Sequence, residues 1–307
     1  VPKKQPLSKP CEQATPTFRP RASFRMATSS GFSIAPQPMN EQTDDAERLR
    51  ARMNEDAREP DEADNANLPP IDLARDALLF DVDGTLLNIA TVPEAVSVPS
   101  SLKNSLAQLI EKTDGATALV SGRLIAVLDS LFAPLKLAAI GCHGAEMRTS
   151  PSGPIERRAA PLPERVKQAF ADVAVAEPRI RVEDKIYTLA FHYRAAPDRE
   201  ESLLTLLRAR IEPFAPEFVL LHGKAIIEVK AANIDKGEAL RALLHRPPFA
   251  HRRPIYFGDD TTDLDAFSVL PDFSGLGVSV GRVLPHTQAT VHSPEDVRQW
   301  LARLAGN

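Results

Sequence analysis

The stretch Ala77-Leu78-Leu79-Phe80-Asp81-Val82-Asp83-Gly84-Thr85-Leu86 decides the fold. A short apolar run ending in polar turn residues reads as the central strand of a parallel sheet, where ligands sit beyond the carboxyl ends of the strands. Asp81 and Asp83 then face one pocket. A bare Asp-x-Asp is more often an ordinary acidic turn, so the weight falls on the later motifs of the chain.

Outward from Asp76, strand and helix alternate, the signature of a parallel sheet covered on both faces. Ser100 or Ser101 can cap a helix whose Leu102, Leu106, Leu109 and Ile110 form one apolar face. Residues 116–120 read as the next strand, ending in Ser121-Gly122-Arg123. A helix over 124–132 leads to a strand over 137–140 and then to the polar cluster Gly141-Cys142-His143-Gly144-Ala145-Glu146. After residue 231 the pattern resumes: Asp235-Lys236-Gly237 opens a helix to Leu244, and a strand over 254–257 ends in Gly258-Asp259-Asp260-Thr261-Thr262-Asp263. Residues 278–280 and 289–291 add strands. Ser293-Pro294 supplies an N-cap and first-turn proline for a closing helix through Leu304.

Between 152 and 231 the order changes to helix (163–175), long strand (179–194), helix (200–211) and long strand (218–230), the last turning at His222-Gly223 into a hairpin. Leu189, Phe191 and Tyr193 alternate with Ala190, His192 and Arg194, so one face is apolar and the other polar. The expectation is an α/β chain with a doubly wound parallel-sheet core (76–151 and 232–307), a separate inserted α+β unit (152–231) whose polar face looks at the core's pocket, and a disordered tail (1–75).

The tail holds 10 of the 27 prolines, with a basic opening and an acidic stretch from Asp44 to Asp64. Such a segment buries too little apolar surface to offset its ordering entropy. A solvated tail is favoured over a targeting signal; its charges over 41–58 alternate at a spacing that allows a helix, packed weakly or not at all, and the biological start is open, since Met26 lies inside the tail. The 307 residues carry a net charge of −4 with pI near 6.0, which leaves no broad cationic surface and argues against nucleic-acid and membrane partners. With two cysteines, Cys11 and Cys142, no disulfide framework is supported; the default is a soluble protein of the reducing cytoplasm, with Cys142 a packed thiol. Protein partners and oligomeric state are not legible.

Cleaving a phosphate monoester needs an in-line nucleophile, compensation of phosphoryl charge and a proton for the leaving oxygen. Asp81 can attack phosphorus and form an aspartyl phosphate. Asp83 can protonate the leaving alkoxide and then deprotonate the attacking water. Gly84 permits a close turn around the phosphate, and Thr85 can orient Asp83 or the phosphate. Several carboxylates around a dianion call for a cation, and an oxygen-only ligand set favours Mg2+. Its expected ligands are Asp81, the carbonyl of Asp83 and Asp259, with Asp260 or Asp263 as a ligand or an orienter. Ser121 and Lys236 suit phosphoryl oxygens.

In this order the motifs resemble the haloacid dehalogenase superfamily: Asp81-x-Asp83-Gly84-Thr85, Ser121, Lys236, and Gly258-Asp259-Asp260-x-x-Asp263. Finer features resemble the trehalose-6-phosphate phosphatase family: Gly141-x-His143-Gly144-Ala145-Glu146-x-Arg148, Val182-Glu183-Asp184-Lys185 with His192-Tyr193-Arg194, Gly223-Lys224 with Glu228-Val229, and Asp235-Lys236-Gly237. That resemblance covers 76–307 and implies a Rossmann-like core with an α/β cap inserted between the serine and lysine motifs, where the α+β unit over 152–231 stands. It implies Mg2+-dependent hydrolysis of trehalose 6-phosphate, the last step of trehalose biosynthesis, with a sugar phosphate as the partner molecule. It also implies sugar binding by Glu183, Lys185 and Glu228, with Gly122, Arg123, Lys224 and His222 as weaker candidates. Asn88, Leu264 and Ala231 depart from the family's usual residues, and Leu264 puts metal affinity most in question. Alternatives are a phosphatase for sucrose or glucosylglycerate phosphate, or a catalytically silent sensor.

Overall fold

The computed structural model describes residues 70–89 and 96–306. The expected helix over 41–58, Met26 and Cys11 lie outside the described residues. The central sheet has eight strands, in the order β12 (Ala289–Val291), β11 (Leu276–Val280), β10 (Arg253–Gly258), β1 (Asp76–Phe80), β2 (Thr117–Val120), β3 (Ala138–Gly141), β4 (Glu146–Arg148) and β5 (Glu156–Arg157). From β12 to β3 every pairing is parallel; β4 and β5 add an antiparallel edge. The chain builds outward from β1 through β2 to β3, then returns to the other side of β1 for β10, β11 and β12. Strand order therefore reverses between β1 and β10, where Leu78 pairs with Ile255 and Phe80 with Phe257, and a crevice opens past their carboxyl ends.

All five residues of β1 are buried, and their alternation splits the core in two. Leu78 and Phe80 meet Leu102, Leu106 and Leu109 of α1 (Ser100–Lys112), Leu128 and Phe132 of α2 (Ile125–Phe132), and Val297 and Leu301 of α8 (Pro294–Ala305). Ala77 and Leu79 meet Leu240 and Leu243 of α6 (Lys236–Leu244) and Phe267 of α7 (Leu264–Val269). Sheet covered on both faces is the expected doubly wound form. Asp235 caps α6 by accepting from the amide of Glu238 at 2.8 Å, and Ser293 caps α8 through Asp296. At α1 the expected serine cap is absent: Pro99 holds the N-cap position, without a side-chain bond. Ile71 and Leu73, assigned to the tail, pack against the core. Leu264 is buried in the second apolar cluster, which gives it a packing role at the start of α7.

The insert forms its own antiparallel sheet, β6 (Arg181–Asp184), β7 (Thr188–His192), β9 (Ile226–Ala231) and β8 (Phe218–Gly223) in spatial order. Its apolar face, with Phe191, Ile227 and Val229, packs on α3 (Glu164–Gln168), α4 (Val173–Ala176) and α5 (Glu200–Ile211) through Val166, Phe170, Val173 and Leu207. Three expectations need correction. The helix over 163–175 is two short helices. The strand over 179–194 is a hairpin: Asp184 Oδ1 accepts from the amide of Ile186 at 2.8 Å, and this side-chain turn holds Ile186 at φ +70°. The second hairpin turns at Lys224-Ala225, because Gly223 still pairs with Ile226. Among the described residues no helix is long and apolar enough to cross a membrane.

Candidate active site

The crevice at the strand reversal is a cavity of about 270 Å³ between the two sheets. From the core, it is lined by Asp81, Asp83, Ser121, Gly122, Arg123, His143, Lys236, Asp259 and Asp260; from the cap, by Glu183, Lys185, His192, Arg194, Lys224 and Glu228. The polar faces thus look at each other. Thr85, Asp263 and His222 are not in the lining. Thr85 is buried with its hydroxyl unpartnered. His222 is held by Tyr193 and Glu200 at 3.1 and 3.0 Å.

Asp81 leaves β1 with its amide bonded to the carbonyl of Phe257 at 2.8 Å, so the first acidic turn is clipped to β10. Gly84 then adopts φ +96°, and a Cβ there would lie 2.1 Å from Asp259 Oδ2. Only glycine lets the turn after β1 pass so close to the turn after β10. Lys236, at the start of α6, reaches across to Asp81 Oδ1 at 3.0 Å and Asp263 Oδ1 at 2.7 Å. Asp263 also accepts from Tyr256 Oη at 2.7 Å and from the amides of Asp259 and Asp260, each at 3.1 Å. With four donors, it is a fixed point on which the acidic turn and Lys236 are built.

Asp81, Asp259 and Asp263 each bring a carboxylate oxygen within 4.8 Å of the others, all buried. Burial pushes Asp81 well above the usual carboxylate range, against the pull of Lys236; burial and Asp81 do the same to Asp259. Burial alone would lower Lys236, but Asp263 and Asp81 outweigh it and hold the ammonium charged. Asp259 Oδ1 has no hydrogen-bond partner. A buried oxygen-only group, short of positive charge and with an unpartnered carboxylate oxygen, fits a hard divalent cation such as Mg2+. Asp260 lies outside this group: it accepts from the amide of Lys224 in the cap and from Arg282.

Asp83 is gripped by the Arg123 fork, Nε to Oδ2 at 2.6 Å and Nη2 to Oδ1 at 2.7 Å. In the cap, Glu228 accepts from Lys185 at 2.9 Å and from Thr188 at 2.6 Å, and sits 3.2 Å from His143 Nε2. Glu183 pairs with His192 at 2.9 Å, and this hydrogen bond lowers its proton affinity. His143, His192 and Arg194 carried no site assignment from sequence; His143 stood inside the Gly-x-His-Gly pattern, and the other two alternate on the polar strand face. The Tyr256 contact had no signal, since a tyrosine in an apolar strand reads as core. Cys142 is buried, which pushes its thiol up to about 12, as a packed cysteine should be.

The trehalose-phosphatase family model matches residues 79–297. A probable trehalose-phosphate phosphatase of Sinorhizobium fredii is 39% identical over 76% of this chain and 89% of that protein. The trehalose-6-phosphate phosphatase of Escherichia coli is 34% identical over 74% of this chain and 86% of that protein. Among solved structures, the C-terminal domain of the C. albicans trehalose-6-phosphate phosphatase superposes with a TM-score of 0.67 at 25% identity, covering 82% of this chain and 99% of that one. With the turns after β1, β2 and β10 gathered at one crevice and a family match across both sheets, the chain belongs to the trehalose-phosphatase family.

Proposed function

We propose that this protein hydrolyses trehalose 6-phosphate to trehalose and phosphate, with the insert that carries β6 to β9 acting as a cap over the core; β5 (Glu156–Arg157), expected in the cap range 152–231, pairs with β4 and belongs to the core sheet. The observation that carries this is the two-sided cavity: a phosphoryl end built from Asp81, Ser121 and Lys236 faces a cap wall bearing Glu183, Lys185 and Glu228. A hydroxyl-rich neutral disaccharide suits a wall of paired acids and bases, which offers both donors and acceptors.

Asp81 is the nucleophile: its carboxylate attacks phosphorus as the ester P–O bond breaks, forming an aspartyl phosphate. Lys236, bonded to Asp81 Oδ1, offsets the charge of the incoming dianion and keeps the carboxylate in position. Ser121, buried at the crevice, supplies a hydroxyl for a phosphoryl oxygen. In its acid form Asp83 gives a proton to the leaving sugar oxygen; the carboxylate that results, which the Arg123 fork holds at the cavity wall, then takes a proton from the water that cleaves the acyl phosphate and so regains the acid form. Asp81, Asp259 and the carbonyl of Asp83 would hold Mg2+, with Asp263 orienting them. When bound, the cation neutralises charge on the transferring phosphoryl group.

The test is phosphate release from trehalose 6-phosphate, glucose 6-phosphate and sucrose 6-phosphate, with Mg2+ and with EDTA. A Mg2+-dependent preference for trehalose 6-phosphate is expected. Equal turnover of several sugar phosphates would remove the substrate assignment, and activity untouched by EDTA would remove the metal.

A further inference from the structure

We infer that His143 is a positioning residue that latches the closed cap onto the phosphate-binding turn, an inference that rests on the sugar-phosphate reading of the cavity. The ring lies against Gly122: a Cβ there would sit 2.6 Å from His143 Nε2 and 2.7 Å from Cε1. The backbone binds the same turn, with the amide of His143 donating to the carbonyl of Ser121 at 3.1 Å and that of Cys142 to the carbonyl of Arg123 at 2.8 Å. His143 therefore moves with Ser121-Gly122-Arg123.

The same Nε2 edge also meets the cap. Nε2 is 3.2 Å from Glu228 Oε1, the oxygen that also accepts from Lys185, while Lys185 Nζ reaches back to the carbonyl of Gly122 at 3.4 Å. All three side chains are at least nine-tenths buried. A carboxylate only accepts, so Nε2 carries the proton. Burial keeps the imidazole neutral, against the pull of Glu228 and helped by the nearby Lys236 and Lys185. Lys185 is then the charge that holds Glu228 ionised, and His143 adds a directed, neutral donor from the core. Two core groups thus clasp two cap groups, and the cap groups belong to the proposed sugar wall. A substrate that fills this wall acts on the phosphate turn through His143.

The kinetic test is His143→Asn, which tolerates the left-handed backbone at φ +56° but lacks an ε-position donor. KM for trehalose 6-phosphate should rise about tenfold to hundredfold, the equivalent of one hydrogen bond to a charged group. The kcat at saturation should change less than threefold, because bound substrate drives closure. Turnover of p-nitrophenyl phosphate, too small to span the cap, should also change less than threefold. His143→Gln, whose amide donor reaches the ε position, should restore most of the loss. Hydrogen exchange gives a substrate-free readout: the Lys224 amide, which bonds Asp260 at 2.9 Å across the cap–core seam, should exchange faster in His143→Asn than in wild type. Equal losses on both substrates, no rescue by Gln, or unchanged Lys224 exchange would overturn the latch. Failure of wild type to prefer trehalose 6-phosphate would instead count against the sugar reading, and the exchange measurement would still decide the latch.

Discussion

Replacing Gly84 by Ala probes the closest approach in the site. Two effects separate. The backbone at φ +96° costs an L-residue about 1–2 kcal/mol, which for a chain of this size lowers Tm by about 2–8 °C. The new methyl would also fall 2.1 Å from Asp259 Oδ2 and 2.4 Å from Cγ, where a Cβ needs at least 3.0 Å, so Asp259 must yield by roughly 1 Å. A displacement of that size at a reacting centre costs about 100-fold in rate. Gly115→Ala is the control: Gly115 has φ +88°, yet its nearest neighbour beyond the adjoining residues, Pro248 Cγ, is 3.5 Å from the added Cβ. It precedes β2, at the end of the sheet away from the acidic turns. Thermal unfolding and phosphate release against Mg2+ concentration are the assays. Both variants should lose stability, Gly84→Ala at least as much as Gly115→Ala because the collision adds to the shared backbone strain, but only Gly84→Ala should lose about 100-fold in kcat/KM and need more Mg2+. Turnover within threefold of wild type for Gly84→Ala, or a matching loss for Gly115→Ala, would refute the collision argument.

Asp81→Asn should abolish phosphate release while leaving the circular dichroism spectrum intact; appreciable residual turnover would point to a different nucleophile. Glu183→Ala should raise KM for trehalose 6-phosphate at least tenfold and barely alter p-nitrophenyl phosphate hydrolysis, and a matched change in both would place Glu183 outside the sugar wall. Glu228→Gln should cost about 3–5 kcal/mol at pH 7, since it strands the buried Lys185 charge. Against the upward push of burial, Lys185 and His143 hold Glu228 well below its ordinary 4.5, so its contribution is complete above that value and is lost as pH falls through the folded-state pKa. Urea unfolding of wild type and variant should therefore converge in acid, and a gap that stays constant down to about pH 3 would break the assignment.

Legibility in the sequence tracks which contacts are local. The run into Asp81 and the run into Asp259 announce themselves, because a buried parallel strand must be apolar and its exit turn must be polar. Asp235 and Ser293 are legible as caps because the acceptor and the amide it satisfies lie three residues apart. The cap hairpins failed at their turns. Glu183-Asp184-Lys185-Ile186 contains no Gly, Pro or Asn, and the reversal depends on one aspartate oxygen folding back on the chain. Strands β4 and β5 are three and two residues long, too short for a period to register. Within the cavity, Asp81, Ser121 and Lys236 are nameable from motif order, whereas the partners of Asp83 and Asp260 are not. Arg123 lies 40 residues from Asp83, and Lys224 lies 36 from Asp260.

The acidic turn Asp259-Asp260-Thr261-Thr262-Asp263 shows why identical side chains take different parts. Asp263 has its oxygens claimed by Lys236, Tyr256 and two backbone amides, so it has little left to give a ligand and serves as the frame. Asp259, held by its own amide on that frame, keeps an unpartnered oxygen beside Asp81, the arrangement a cation would complete. Asp260 turns the other way, to the Lys224 amide, while the neighbouring Thr261 hydroxyl donates to the carbonyl of His222 at 3.2 Å. The β8–β9 hairpin tip thus rests on the same turn that presents Asp259. Any displacement of this turn is felt at once by the cap seam and by the carboxylate pair at the crevice. The seam between the two sheets and the buried carboxylates then share one structural element, so coupling between them needs no separate relay.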